Sequence, residues 1–125
     1  MNKYNFEQLK GMAERMQKKL EQPLPKEPND LIAYLEEVDR IMAVSGNMLA
    51  DAKYYQDAIK NAAILTSLSD EYSTLSQSAK NEFIKTEAKD QNYMVNWIDR
   101  INACAVHIKD SIRTIISYRK KELEL

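Results

Sequence analysis

The stretch YMVNWIDRINACAVHIKDSIRTIISYRKKE, Tyr93 to Glu122, decides the fold. Within it Met94, Ile98, Ile101, Ala105, Ile108, Ile112 and Ile115 recur at alternating spacings of four and three residues. That is the apolar seam of a heptad repeat, held for about three heptads with no Gly or Pro to interrupt it. Trp97, Cys104 and Tyr118 widen the seam on one side and Ile116 on the other. A stripe this wide belongs to a helix that buries its face against more than one neighbour. The rest of the chain must supply those neighbours.

Working outward, the composition agrees. The 125 residues make one domain by size. Hydrophobic residues are 44% and charged residues 30%, enough for a core and too apolar for a disordered chain. Only two Gly and three Pro are present, which leaves too little turn chemistry for a many-stranded β fold. The net charge of −1 excludes the strongly basic balance of a dedicated nucleic-acid binder. It also hides a segregation: residues 1–20 hold five Lys/Arg against two Glu, residues 29–66 three against six Asp/Glu, and residues 91–125 six against four. Basic outer helices are therefore expected to attract an acidic middle one weakly.

Upstream of the decisive stretch, three more helices are legible. Phe6, Leu9, Ala13, Met16 and Leu20 form a narrow seam over about 5–20. Pro23, Pro25 and Pro28 then make a stiff connector, after which Asn29 or Asp30 caps the next helix. That helix spans about 30–66. Its seam runs Leu31, Leu35, Val38, Met42, Ser45, Leu49, Ala52, Gln56, Ile59 and Ala63, with Ile41, Met48, Tyr55 and Ala62 as a side row. Gly46 sits in mid-course, and the seam passes it in phase, so one continuous helix is expected. Gly46 reads as a point of close backbone approach by a neighbour, with a hinge as the other reading. Seven Ser/Thr among the thirteen residues 66–78 mark the next connection. Thr74 with Gln77 has capping-box spacing for a helix over about 74–89. That helix buries Leu75, Ala79, Phe83 or Ile84, and Ala88. Asp90 or Asn92 caps the last helix, about 92–123.

The expected fold class is thus all-α: a helical bundle or elongated helical hairpin with two long and two shorter helices, in a single domain over 1–125. Long helices that outrun the short ones leave apolar surface at one end, a natural oligomer interface. Trp97, Cys104 and Tyr118 are the interface candidates.

Chemistry is harder to find. The lone Cys104 excludes an internal disulfide, and no metal-ligand cluster is visible around the single His107. No metal or cofactor is expected. Cys104 reads as a small core residue and His107 as a partly buried or flanking one. Glu36, Asp39, Glu87 and Asp90 form two acidic pairs at i, i+3, the raw material of a metal-dependent nucleotide pyrophosphatase bundle. The fuller acidic run of those enzymes is missing. No Gly-rich phosphate loop occurs. Arg100, His107, Thr114 and Lys121 recur every seven residues, with Arg113 and Lys120 one row over. This basic edge, together with Lys53 and Tyr54, is the candidate ligand surface. It would suit nucleic acid or a small phosphorylated nucleotide, although cations near a helix C-terminus also simply favour the helix dipole. No stretch is long and apolar enough for a membrane span, no signal peptide opens the chain, and the cytoplasm is the expected compartment.

Two segments, Trp97–Asn102 with Asp110–Glu122, and Leu49–Tyr54, resemble small all-helical proteins encoded by phages and prophages. The resemblance covers about a third of the chain. It implies an accessory protein: a recombination or replication helper, a virion part, or an inhibitor of host defence. It supplies no catalytic residue. Arg100, Asn102 and Arg113 on the last helix, and Asp51, Lys53 and Tyr54 on the second, are the positions it draws attention to. The expectation is therefore a non-enzymatic homo-oligomer that binds a protein partner. Nucleic-acid or nucleotide binding is the alternative, and the pyrophosphatase-like bundle a second one.

Overall fold

The computed structural model describes residues 3–124; Met1, Asn2 and Leu125 of the expected domain lie outside the described residues. Four helices pack as a bundle: α1 (Phe6–Leu20), α2 (Pro28–Ser67), α3 (Gln77–Glu87) and α4 (Lys89–Glu124). A single 3-10 turn, Asp70–Tyr72, interrupts the connection between α2 and α3. With 40 and 36 residues, α2 and α4 are about 60 and 54 Å long at 1.5 Å per residue. They form the antiparallel frame on which the short helices lie.

The frame follows from the two heptad seams. Val38, Ser45, Met48 and Ala52 of α2 are buried against Met94, Ile98, Ile101, Ala105 and Ile112 of α4. Fully burying a side chain such as Ile98 or Met48 stabilises the fold by about 1.5–3 kcal/mol. Polar side chains fix the register along the seam. Gln56 donates to Asn92 at 2.8 Å, Asn102 donates to Ser45 Oγ at 2.9 Å, and Lys109 pairs with Asp39 at 2.8 Å. Beyond them, Arg119 donates to the carbonyl of Lys26 at 3.0 Å. The numbers fall along α2 as they rise along α4, as antiparallel pairing requires.

Ser45 is the polar member of an otherwise apolar seam, and it is fully buried. Its hydroxyl donates to Met42 O at 3.2 Å, and Asn102 Nδ2 reaches both that hydroxyl and Met42 O, at 3.1 Å. Each group thus has a partner, which a buried hydroxyl needs. A polar contact at a seam position also penalises slippage by a heptad.

The next residue corrects the sequence reading. α2 is continuous through Gly46, as expected, but no neighbour approaches there: a Cβ on Gly46 would meet nothing within 4 Å. Gly46 lies on the exposed side, and Ser45 makes the close interhelical contact instead. The seam predicted which residues face inward; it could not say how far the neighbour's backbone stands.

The short helices dock where charge and aromatic groups hold them. α1 opens with a capping box, Asn5 accepting from Gln8 N at 2.8 Å and Gln8 accepting from Asn5 N at 2.9 Å. It buries Leu9, Ala13 and Leu20. Lys19 pairs with Glu37 of α2 at 2.7 Å, and with Lys109–Asp39 this realises the expected attraction of basic outer helices to an acidic middle one. Tyr34, missed by the seam, is buried and donates its hydroxyl to Lys19 O at 3.1 Å. That carbonyl, in the last turn of α1, also accepts from Gln22 N at 3.3 Å. Burial pushes the Tyr34 phenol above its ordinary value of 10.0. Lys19 opposes the shift, while Cys104 and Glu37 add to it.

Three expected helix starts move. Glu27 occupies the cap position of α2 without a side-chain bond, and Pro28 fills the first turn with its preset φ, so neither Asn29 nor Asp30 caps it. Ser76, not Thr74, caps α3 by accepting from Ala79 N at 3.1 Å. α4 follows α3 after Ala88 alone. The Asn92 amide already donates to Ala88 O at 2.8 Å, so neither Asp90 nor Asn92 is a cap. In α3, Ala79, Phe83 and Ile84 are half-buried, and Ala88 just after it is fully buried, but Leu75, before its start, is exposed. The Phe83 ring instead meets Tyr72 of the 3-10 turn, centroids 5.0 Å apart.

Candidate interaction surface on the last helix

A second row of residues lies one position before the inner seam of α4. It reads Tyr93, Trp97, Arg100, Cys104, His107, Ser111, Thr114, Tyr118 and Lys121, with the same alternating spacing of four and three. Because one step along a helix is about 100° of rotation, this row points well away from the seam. All of it is exposed except Trp97, which is half-buried. Tyr93 is 67% and Tyr118 65% exposed. One expectation is corrected here: Cys104 is an exposed thiol and not a core residue. His107 is exposed beside the seam, the flanking one of its two readings.

Trp97 finds a neighbour inside the chain. Its Nε1 donates to Gln17 Oε1 of α1 at 2.7 Å, and its ring lies 6.0 Å from that of Tyr93. The end of α1 and this part of α4 enclose an open groove of 530 Å³, lined by Trp97, Arg100 and Cys104 with Tyr93, Gln17 and Glu21 among others. Three of the candidate residues therefore share one groove, and its other wall comes from the end of α1, which no spacing argument within a single helix could have shown. The other candidates do not join it. Arg113, Tyr118 and Lys121 line a shallower groove of 330 Å³. Lys120 and Arg119 edge a third, of 670 Å³, whose floor is Leu31, Ile32 and Ile116. Thirteen residues separate Arg100 from Arg113, about 20 Å of helix, so the basic edge is a ridge and not a converging phosphate site.

Lys53 and Tyr54 are exposed on α2 and belong to a different neighbourhood. Lys3 Nζ stands 4.3 Å from the Tyr54 ring centroid, and Asp51 accepts from Tyr4 N at 3.0 Å. These residues clasp the segment leading into α1. A cation over an aromatic face at an exposed site contributes about 0.5–1 kcal/mol.

The acidic pairs also stay apart. Glu36, Asp39, Glu87 and Asp90 are all exposed, and Asp39 is engaged by Lys109. The Gln56–Asn92 contact sets Asp90 beside the far half of α2, some 20 residues and about 30 Å from Glu36 and Asp39. Among the described residues, no group of three or more His, Cys, Asp or Glu is placed to hold a metal ion.

A second uncovered surface escaped the sequence reading. Ile64, Leu65 and Leu68 share one side of the end of α2, and Leu65 and Leu68 are 71% and 69% exposed. The signal was available: these residues fall out of phase with the α2 seam, which ends at Ala63. Among the described residues no helix is long and apolar enough to cross a membrane. The chain matches no protein-family model, no curated protein and no solved structure. Its surface is therefore the ground for a functional reading.

Proposed function

We propose that the protein is a non-enzymatic, oligomeric helical interaction protein that acts by binding a protein partner. The resemblance to phage accessory proteins makes inhibition of host defence one role open to such a binder. The observation that carries the reading is the pair of uncovered surfaces: Ile64, Leu65 and Leu68 at one end of the bundle, and the Tyr93–Tyr118 row along α4. Single exposed apolar residues need no explanation, but grouped ones on a helical frame are what association surfaces are made of. Aromatic residues and arginine, both present on the α4 row, are the types that dominate binding at interfaces.

Nucleotide or nucleic-acid binding has one supporting feature, Arg100 beside Tyr93 and Trp97 in the groove at the end of α1. It lacks the convergence a polyanion would need, since Arg113, Lys120 and Lys121 line other surfaces. Multi-angle light scattering tests the main reading. The expected result is a mass that is a multiple of the chain mass at micromolar concentration. A monomer at every concentration up to the solubility limit contradicts it.

A further inference from the structure

We infer that a second copy of this chain occupies the outer row of α4, its own α4 lying antiparallel across a two-fold axis between Ala105 and Val106. The inference rests on the oligomer reading above and makes it specific. Asp90, three residues before Tyr93, extends the outer row by one member; from Asp90 to Lys121 its four-three spacing is symmetric about that axis. Every member then meets another member: Asp90 the second copy's Lys121, Tyr93 its Tyr118, Trp97 its Thr114, Arg100 its Ser111, and Cys104 its His107. Such self-complementarity is what an isologous interface demands.

Three observations choose this arrangement. First, Tyr93 and Tyr118, each about two-thirds exposed, cover one another. Sliding the pairing by one heptad in either direction leaves one of them at or past the end of the opposing helix. Second, opposite charges meet: Asp90 faces Lys121, and Arg100 comes within side-chain reach of Asp110. All four are exposed, and none has an ion-pair partner within 4 Å among the described residues. A parallel pairing would instead set Arg100 and Lys121 against their own copies, and like charges at an interface are repelled. Third, the row is concave where it needs depth, because the end of α1 walls the groove beside Trp97 and Arg100. The row is about 47 Å long by helical rise. With the adjoining row and the end of α1 it approaches the 20 or so residues a specific interface takes on each side.

Disulfide trapping tests the register. In a Cys104→Ser background, Arg100→Cys and Ser111→Cys are made separately; both positions are exposed. Each variant is oxidised alone and then after mixing with the other. A cross-linked dimer is expected only from the mixture. Within either homodimer the two sulfurs sit 11 residues apart, about 16 Å along the axis, beyond the ~4.4–6.8 Å Cα separation of a disulfide. Asp90→Cys with Lys121→Cys reads the same register from the rim, without touching the centre of the row. Self-linking of a single variant, or no link in mixtures of either pair that light scattering shows to be dimeric, overturns this pairing but leaves self-association standing. A wild-type chain that remains monomeric overturns both.

Discussion

The two faces of α4 carry the same period one residue apart, and the chain treats them oppositely. Met94, Ile98, Ile101, Ala105 and Ile112 are buried by α2 and α1. Tyr93, Arg100, Cys104, His107 and Tyr118 are left outside. Periodicity makes a helix face regular; it does not decide what lies against it. The inner face is apolar and is completed by the chain itself. The outer one mixes aromatic, cationic and hydroxyl side chains, a composition closer to that of an interface than of a core.

The sharpest way to break this contrast is to truncate one residue on each face. Ile98→Ala opens a cavity in the fully buried seam and should cost about 2–5 kcal/mol in urea unfolding. Cys104→Ala, on the outer face, should stay within about 0.5 kcal/mol when unfolding is measured on a monomeric form. If the two changes cost the same, the inner and outer faces have been misassigned.

A smaller effect is expected at the polar contact that sets the register. Asn102→Ala removes the donor to both Ser45 Oγ and Met42 O, and should cost about 1–3 kcal/mol through the loss of two hydrogen bonds at a buried site. Heptad slippage, seen as changed amide exchange along α2, would be the accompanying sign.

Tyr34→Phe should cost about 1 kcal/mol at neutral pH through loss of the bond to Lys19 O. Its pH dependence has a definite sign. The folded phenol holds its proton more tightly than the unfolded one, because burial disfavours the phenolate. That contribution is whole below the unfolded value near 10 and is lost as pH rises through the higher folded value. Stability should therefore fall in the alkaline range in the wild type, and less steeply in Tyr34→Phe, as followed by circular dichroism. Equal alkaline slopes would remove Tyr34 from this role.

One change has the opposite sign. Gly46→Ala should stabilise by about 1 kcal/mol, because the position is helical and exposed with space for a Cβ. A loss of stability would restore the close-approach reading.

These sites also show why the fold was more legible than the surface. Four helices could be read because each seam repeats over several turns, and only local capping detail moved their starts: Pro28 with its fixed φ, and Ser76 two residues after Thr74. Gly46 and Cys104 were misread for one shared reason. A heptad gives each residue's angle about its own axis and says nothing of the neighbour at that angle. The groove joining Trp97 and Arg100 to Gln17 depends on a contact 80 positions apart in sequence, which no local pattern encodes. Ile64, Leu65 and Leu68 were visible as apolar residues out of phase, and their exposure follows from that.

On this reading the outer face of α4 serves association and not folding. Light scattering on wild type and on the Tyr93→Glu/Tyr118→Glu double variant tests it most directly, since both residues lie outside the core. The expected result is a wild-type dimer and a folded monomeric variant at the same concentration. A variant that keeps the wild-type mass, or a wild type that is already monomeric, would contradict it.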